Sequence, residues 1–281
     1  MKPGRASRTA ELVCMARAVA HGRAHIAGFE DPTALALLPE DARRRVERIR
    51  AGDKPRGVKE GMEWALLDKR RDMMEVRTVA IDSAVRAAAA PQAVILGAGL
   101  DGRAWRMPEL AGADVFEVDH PDSQRDKRAR VAPLTPTARA IHFVPVDFAR
   151  DDLDVALAAA GHDPARPTTW LWEGVVMYLT REAIDATLRV VARRSAPGSA
   201  LLVLYMAPSL LTPIVGAIVR GVGEPLRSVL RADEMRAILS AHGFDVARDA
   251  DLRTLGADIS ADAARRARTM KHLRLAVARI R

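Results

Sequence analysis

The chain has 281 residues, 49% of them hydrophobic and 28% charged, with a formal net charge of +8. This composition excludes a disordered or fibrous protein and bounds the fold to one α/β domain with an appended helical part, or at most two small domains. A single cysteine, Cys14, excludes an internal disulfide framework and a zinc site built on several cysteines, and implies a reducing compartment, read as the cytoplasm.

Residues 1–90 read as helical. Lys2, Arg5 and Arg8 are not followed by the apolar core and cleavage site of a secretory signal. Segments 11–21, 33–50 and 58–90 are rich in Ala, Leu, Met, Glu and Arg with apolar residues three and four apart. Asp31-Pro32 and Ala51-Gly52-Asp53-Lys54-Pro55 mark the linkers. Cys14 reads as a small apolar helix residue.

At Pro91 the pattern changes. Short apolar runs at 93–96, 114–118, 141–146, 168–172 and 199–206 are each followed by a helix-length segment, which predicts a mostly parallel sheet covered on both faces. Two more strands are expected at 244–248 and 272–280, the last alternating apolar and polar as in a hairpin near the sheet edge. No charged side chain lies between Arg194 and Arg220, a stretch long enough to cross a bilayer. Pro197, Pro208 and Pro213 divide it, so it reads as a strand followed by a short apolar helix at 209–219. The expected division is a helical cap over 1–90 and a nucleotide-binding domain over 91–281, with an apolar insertion near 207–231.

The most informative stretch follows the first strand. Gly97, Gly99 and Gly102 match G-x-G-x-x-G, and Asp119 closes the next strand about 20 residues on, the fingerprint of a nucleotide site. An NAD(P)-binding oxidoreductase is one reading. Against it, Pro108 limits the helix after Gly102 to about one turn, too short to hold a pyrophosphate. Asp147 and Glu173 also follow the third and fourth strands, and carboxylates there suit the adenine amine and methionine ammonium of S-adenosyl-L-methionine.

Gly97-Ala-Gly-Leu-Asp-Gly-Arg-Ala-Trp-Arg106, Phe116-Glu-Val-Asp-His-Pro121, Val146-Asp147-Phe148 and Glu173-Gly-Val-Val-Met-Tyr178-Leu resemble the successive motifs of the leucine carboxyl methyltransferase family, including its actinobacterial branch and related natural-product O-methyltransferases. Arg77-Thr78 with Asp82 is similar to that family's Arg-Thr-x-x-x-Asp motif. The resemblance implies a class I methyltransferase (Rossmann-like) α/β fold: a seven-stranded, mostly parallel sheet with an antiparallel last strand and an N-terminal helical extension. It implies that Arg77 pairs with the methionine carboxylate, Gly97 and Gly99 form the cofactor turn, and Asp119 binds the ribose hydroxyls. Asp147 and Phe148 would hold the adenine, and Glu173 would lie by the methionine amino group. Gly102 departs from the family's usual Thr, which would loosen the helix start.

Each residue has a plainer reading. Asp119, Asp147 and Glu173 can serve as helix N-caps, Phe148 as core, and Arg77 as a solvated helix residue near Arg70 and Arg71. Asp101 and Arg106 are expected to brace the loop as an ion pair, His120 to be structural, and His25 to be a candidate base in the substrate-side helices.

An ionised carboxylate acceptor needs no base, whereas a phenol or alcohol does, and the sequence shows no clear His-carboxylate pair. The expected reaction is therefore O-methylation of a carboxylate or acidic phenol on a small apolar molecule, with Tyr178 positioning it. A non-catalytic binding protein of the same fold is a further alternative. A nucleobase N-methyltransferase would carry an Asn/Asp-Pro-Pro-aromatic motif where this chain has Glu173-Gly-Val-Val, and a base C5-methyltransferase a well-placed Cys. Aromatics at 4% leave few rings for stacking on bases. Residues 261–281 hold seven Lys/Arg and one Asp, so most of the net charge is local to the C-terminal surface and argues for neither nucleic acid nor membrane.

Overall fold

The computed structural model describes residues 8–148, 150–209 and 225–281. Four helices come first: α1 (Arg8–Ala20), α2 (Ala34–Leu37), α3 (Glu40–Ala51) and α4 (Val58–Ala88). The single helix expected over 33–50 is two, because Pro39 disfavours a helical Leu38, whose ψ is 146°, and α3 restarts behind the proline. Ala89, at φ 45°, ends α4 just before Pro91.

The strands are β1 (Gln92–Leu96), β2 (Asp114–Asp119), β3 (Ala140–Pro145), β4 (Thr168–Glu173), β5 (Ala200–Met206), β6 (Phe244–Asp251) and β7 (Leu273–Ile280). They form one sheet in the order β3-β2-β1-β4-β5-β7-β6, with β7 antiparallel to both neighbours and the first five strands parallel. Interspersed are α5 (Arg103–Arg106), α6 (Pro121–Val131), α7 (Leu153–Ala159), α8 (Arg181–Arg193), α9 (Ala232–Ala241), α10 (Leu252–Ile259) and α11 (Ala261–Arg266). The strand expected at 244–248 continues to Asp251, across a register shift between Val246 and Arg248.

β1 and β5 are buried along their whole length, as central strands covered on both faces must be. Alternate side chains feed opposite layers. Ile95, Val115 and Leu202 join Met15, Leu37 and Met74 beneath the N-terminal helices, whereas Val94, Phe116 and Leu201 join Leu157, Leu188 and Ile238 beneath α7, α8 and α9. No described helix is long and apolar enough to cross a membrane. The helix expected at 209–219 lies almost wholly outside the described residues. After that segment, Leu226 and Val229 pack against the first layer, and Arg227 and Ser228 donate backbone N–H bonds to Met177 O at 2.8 and 3.2 Å.

An ion pair is sunk in the first layer. Glu117 of β2, with no exposed surface, bonds Lys127 Nζ of α6 at 2.7 Å, and the ammonium lies 5.1 Å from the Trp105 ring centroid. Burial, partly opposed by Lys127, pushes the Glu117 carboxyl up to about 7. Lys127→Met is expected to cost about 3–5 kcal/mol at pH 8 by leaving that carboxylate buried and unpaired. A raised folded pKa means that folding favours the protonated acid. That contribution is full below the ordinary value of 4.5 and is lost as pH rises through about 7. The penalty in urea denaturation should therefore shrink at pH 5, and equal penalties at both pH values would contradict it.

Candidate functional site

Of the expected site residues, Gly97, Gly99, Asp119 and Glu173 stand at the carboxyl ends of β1, β2 and β4, where the strand order reverses and open α/β sheets leave a crevice; Arg77 reaches Glu173 from α4, and Asp147 and Phe148 lie just beyond β3. Gly97 and Gly99 turn the chain after β1 with φ of 70° and 49°, a region that favours glycine. A Cβ on Gly97 would also overlap Val175 Cγ2, so the loop lies tightly against the segment after β4. Val118 O accepts N–H bonds from Gly97 and Ala98 at 2.8 and 3.0 Å, joining the turn to β2.

Asp119 ends β2 with its carboxylate turned into this loop. Oδ2 accepts the Gly99 N–H, and Oδ1 accepts the His120 N–H at 2.6 Å. Burial raises its pKa, opposed by those two N–H groups. It is not a helix cap: His120 caps α6, its Nδ1 accepting from Asp122 N at 3.2 Å, which makes His120 structural as expected. Asp147 is no cap either, because Asp152 caps α7. Asp147 sits half-buried after β3 with its N–H on Asp151 Oδ2 at 2.8 Å, and Phe148 packs beside it against the second layer.

Glu173 ends β4 between two guanidinium groups, with Oε1 2.6 Å from Arg77 Nε and Oε2 2.8 Å from Arg103 Nη1. Burial alone would raise its pKa, but Arg77, Arg103 and Arg17 more than reverse that and hold it well below the carboxylate range. Thr180, not Glu173, caps α8. Arg77 is buried on α4 rather than solvated.

These contacts belong to a longer chain of buried charge that the sequence did not reveal. Arg17 of α1 bonds Leu100 O at 2.5 Å and lies 3.1 Å from Asp31. Arg106 lies 3.7 Å from Asp31 and bonds Asp82 at 2.6 Å. Asp82 bonds Arg103 at 2.7 Å, and Arg103 joins Asp101 and Glu173. Four arginines (17, 77, 103, 106) face four carboxylates (31, 82, 101, 173), so the formal charges cancel. The expected Asp101–Arg106 pair does not form: Asp101 holds Arg103, and Arg106 reaches Asp82 and Asp31 from other elements. The hints in sequence were the Arg-Thr-x-x-x-Asp motif and the arginines after Gly102.

Gly102 also has a structural reason. A Cβ there would overlap Thr33 Oγ1 and lie 3.3 Å from Leu37 Cδ1, so the segment running into α2 occupies that space, and the helix start is packed rather than loosened. Gly102→Thr is expected to cost about 1–3 kcal/mol through overpacking, with Thr33→Ala in the same chain restoring most of it. Thermal unfolding of the three proteins checks this.

Other candidates fall elsewhere. Cys14 is fully buried, donates to Ala34 O at 3.2 Å, and has its thiol pushed up to about 11 by burial, as suits a core residue. His25 Nδ1 is 2.9 Å from Asp72 and 2.8 Å from Arg266 Nη1, bracing α4 to α11. Much of the C-terminal charge is paired, Arg266 with Asp72 and Asp262, Arg274 with Asp249, and Arg281 with Asp245. Tyr178 ends a short 3-10 turn after β4, half-buried against the first layer. His272, which sequence reasoning passed over, stands just before β7 at this same edge of the sheet, its carbonyl accepting from Ala207 N at 2.7 Å. Burial lowers its pKa.

Strand order and crevice define a class I methyltransferase fold. Two solved structures share it. A DUF574 family protein from Streptomyces avermitilis MA-4680 is 14% identical with a TM-score of 0.59, covering 98% of each chain. A protein of Thermobifida fusca YX, named provisionally as a methyltransferase, is 16% identical with a TM-score of 0.55, covering 100% of this chain and 97% of that one. At these identities the likeness concerns the fold alone.

The family model described as leucine carboxyl methyltransferase matches residues 10–192. This chain belongs to that family. Among its relatives, a protein of Mycolicibacterium gilvum (strain PYR-GCK) is 44% identical over 160 residues, 56% of this chain and 51% of that protein. One of Mycobacterium avium (strain 104) is 37% identical over 250 residues, 85% of this chain and 75% of that protein. Both are named provisionally as S-adenosyl-L-methionine-dependent methyltransferases. The chain thus spans about half the length of the first.

Proposed function

We propose that this protein is an S-adenosyl-L-methionine-dependent O-methyltransferase acting on the carboxylate, or an acidic phenol, of a small apolar molecule. The observation that carries the reading is the convergence of Arg77, Asp119 and Glu173 around the Gly97–Gly99 turn. Family membership and the names of the relatives support it.

The donor set fits a sulfonium cofactor. Asp119 offers carboxylate oxygens to a ribose diol beside a glycine turn that backbone can approach closely. Glu173 suits an ammonium group and Arg77 a carboxylate, whereas Asp147 and Phe148 suit an adenine. An NAD reading is disfavoured because α5 has only four residues, too short a helix to hold a pyrophosphate.

When bound, the cofactor supplies an electrophilic methyl group, and displacement by a carboxylate oxygen leaves a neutral thioether with no proton to move. Arg77, Asp119 and Glu173 contribute by fixing one reactant so that attack is in line. Tyr178 contributes by positioning the acceptor.

Incubation with methyl-labelled cofactor and a panel of lipophilic acids and phenols tests the reading. Label is expected in the acids. Transfer only to peptides, nucleic acid or polar metabolites would refute it.

A further inference from the structure

We propose that the acceptor is an amphipathic acid whose carboxylate is held by Arg70 beside Tyr178 and whose chain lies along α4 on Leu66, Met62 and Val58. This rests on the methyltransferase reading above. Val58, Met62 and Leu66 are 82%, 70% and 40% exposed, large apolar side chains facing water on a helix whose other faces are packed or charged. Each is four residues from the next, so they adjoin along the helix surface, and the next residue in that row is Arg70. Seven residues beyond Arg70, on the same side, Arg77 bonds Glu173. The apolar row therefore runs into a cation and then into the expected cofactor site.

Arg70 is half-buried, yet among the described residues no carboxylate lies within ion-pair distance of it. Burial lowers its pKa, and the nearby Tyr178 phenol partly opposes that. Arg77 and Arg103, further along toward the expected cofactor site, have a carboxylate partner in Glu173. Lys59 and Lys69, exposed beside the row, likewise lack an ion partner among the described residues. An apolar row flanked by uncompensated cations complements an anion with an apolar body. From Val58 to Arg70 the helix rises about 18 Å, the reach of an extended acyl chain. A second copy of this chain would place Lys59, Lys69 and Arg70 against the same cations across a two-fold axis, which disfavours it as the occupant.

The test is fluorescence titration of tetradecanoate and tetradecanol onto the purified 281-residue chain with S-adenosylhomocysteine present. Wild type should bind the acid at least about tenfold more tightly than the alcohol, as a charge-assisted bond requires. Arg70→Gln should erase that preference, Arg70→Lys should keep part of it, and Met62→Ser with Leu66→Ser should weaken acid and alcohol alike. Cofactor affinity should be unchanged in all of these, since none of the substituted residues is assigned to hold the cofactor. An acid preference that survives Arg70→Gln would overturn the proposal while leaving the methyltransferase reading intact. So would a double serine variant that binds the acid normally but changes oligomeric state or vesicle association. Loss of cofactor binding in wild type would instead overturn the reading on which the proposal stands.

Discussion

Asp119→Ala is expected to weaken S-adenosyl-L-methionine binding by about a hundredfold or more while leaving the protein folded. Two hydrogen bonds from a ribose diol to an ionised carboxylate contribute about 1.5–3 kcal/mol each, and the substitution removes both. Stability should change little. Burial disfavours the charged carboxylate, and among the described residues its hydrogen-bond partners are the N–H groups of Gly99 and His120 in the loop after β1 and at the start of α6. Asp119→Asn, which retains one acceptor oxygen, should fall between the two. Titration calorimetry measures the affinities and thermal unfolding the stability. An Asp119→Ala protein that binds the cofactor as wild type does would remove Asp119 from the site.

Glu173→Gln is expected to damage both fold and site. The buried chain of four arginines and four carboxylates would become four against three, with the surplus charge on Arg77 and Arg103, whose side chains are 10% and 2% exposed. Removing one partner of a buried pair costs about 3–5 kcal/mol. A second substitution, Arg77→Met, should restore part of that stability by removing the surplus cation, yet should not restore cofactor binding, because Arg77 is itself assigned to the methionine carboxylate. Urea denaturation and calorimetry on the single and double variants separate the two effects. Additive losses in stability would show that the two residues are not coupled.

The parallel sheet was legible because its strands are buried on both faces and therefore read as unbroken apolar runs, Ala93 to Leu96 and Ala200 to Met206 among them. The end of β6 was not legible. Arg248, Asp249 and Asp251 are polar, and they are drawn into the sheet by Arg274, which bonds Asp249 at 2.9 Å, and by Tyr205, which bonds it at 2.7 Å. Pro39 carried a local signal for the break between α2 and α3, but the helical composition on either side obscured it.

At the site, Gly97, Gly99, Asp119 and Glu173 could be found because loop and strand-end chemistry repeats at fixed spacing. The partners of Arg106 could not, since Asp82 and Asp31 lie far from it in sequence and only the packing of α4 and the N-terminal segment against the glycine loop brings them together. Gly102 shows the same limit. Its departure from the family pattern reads as a loosened helix, whereas Thr33, from a distant segment, fills the space beside it. Arg70 stood in a run of charged residues that resembled a solvated face; burial sets it apart from Lys69, and Arg71, buried to the same degree, differs in pairing with Asp68 and Glu75.

The most direct measurement is titration calorimetry of the purified chain with S-adenosyl-L-methionine, S-adenosylhomocysteine and NAD, each added alone. Saturable one-to-one binding of the first two, with no heat from NAD, is the predicted result. Binding of NAD without S-adenosyl-L-methionine would contradict it.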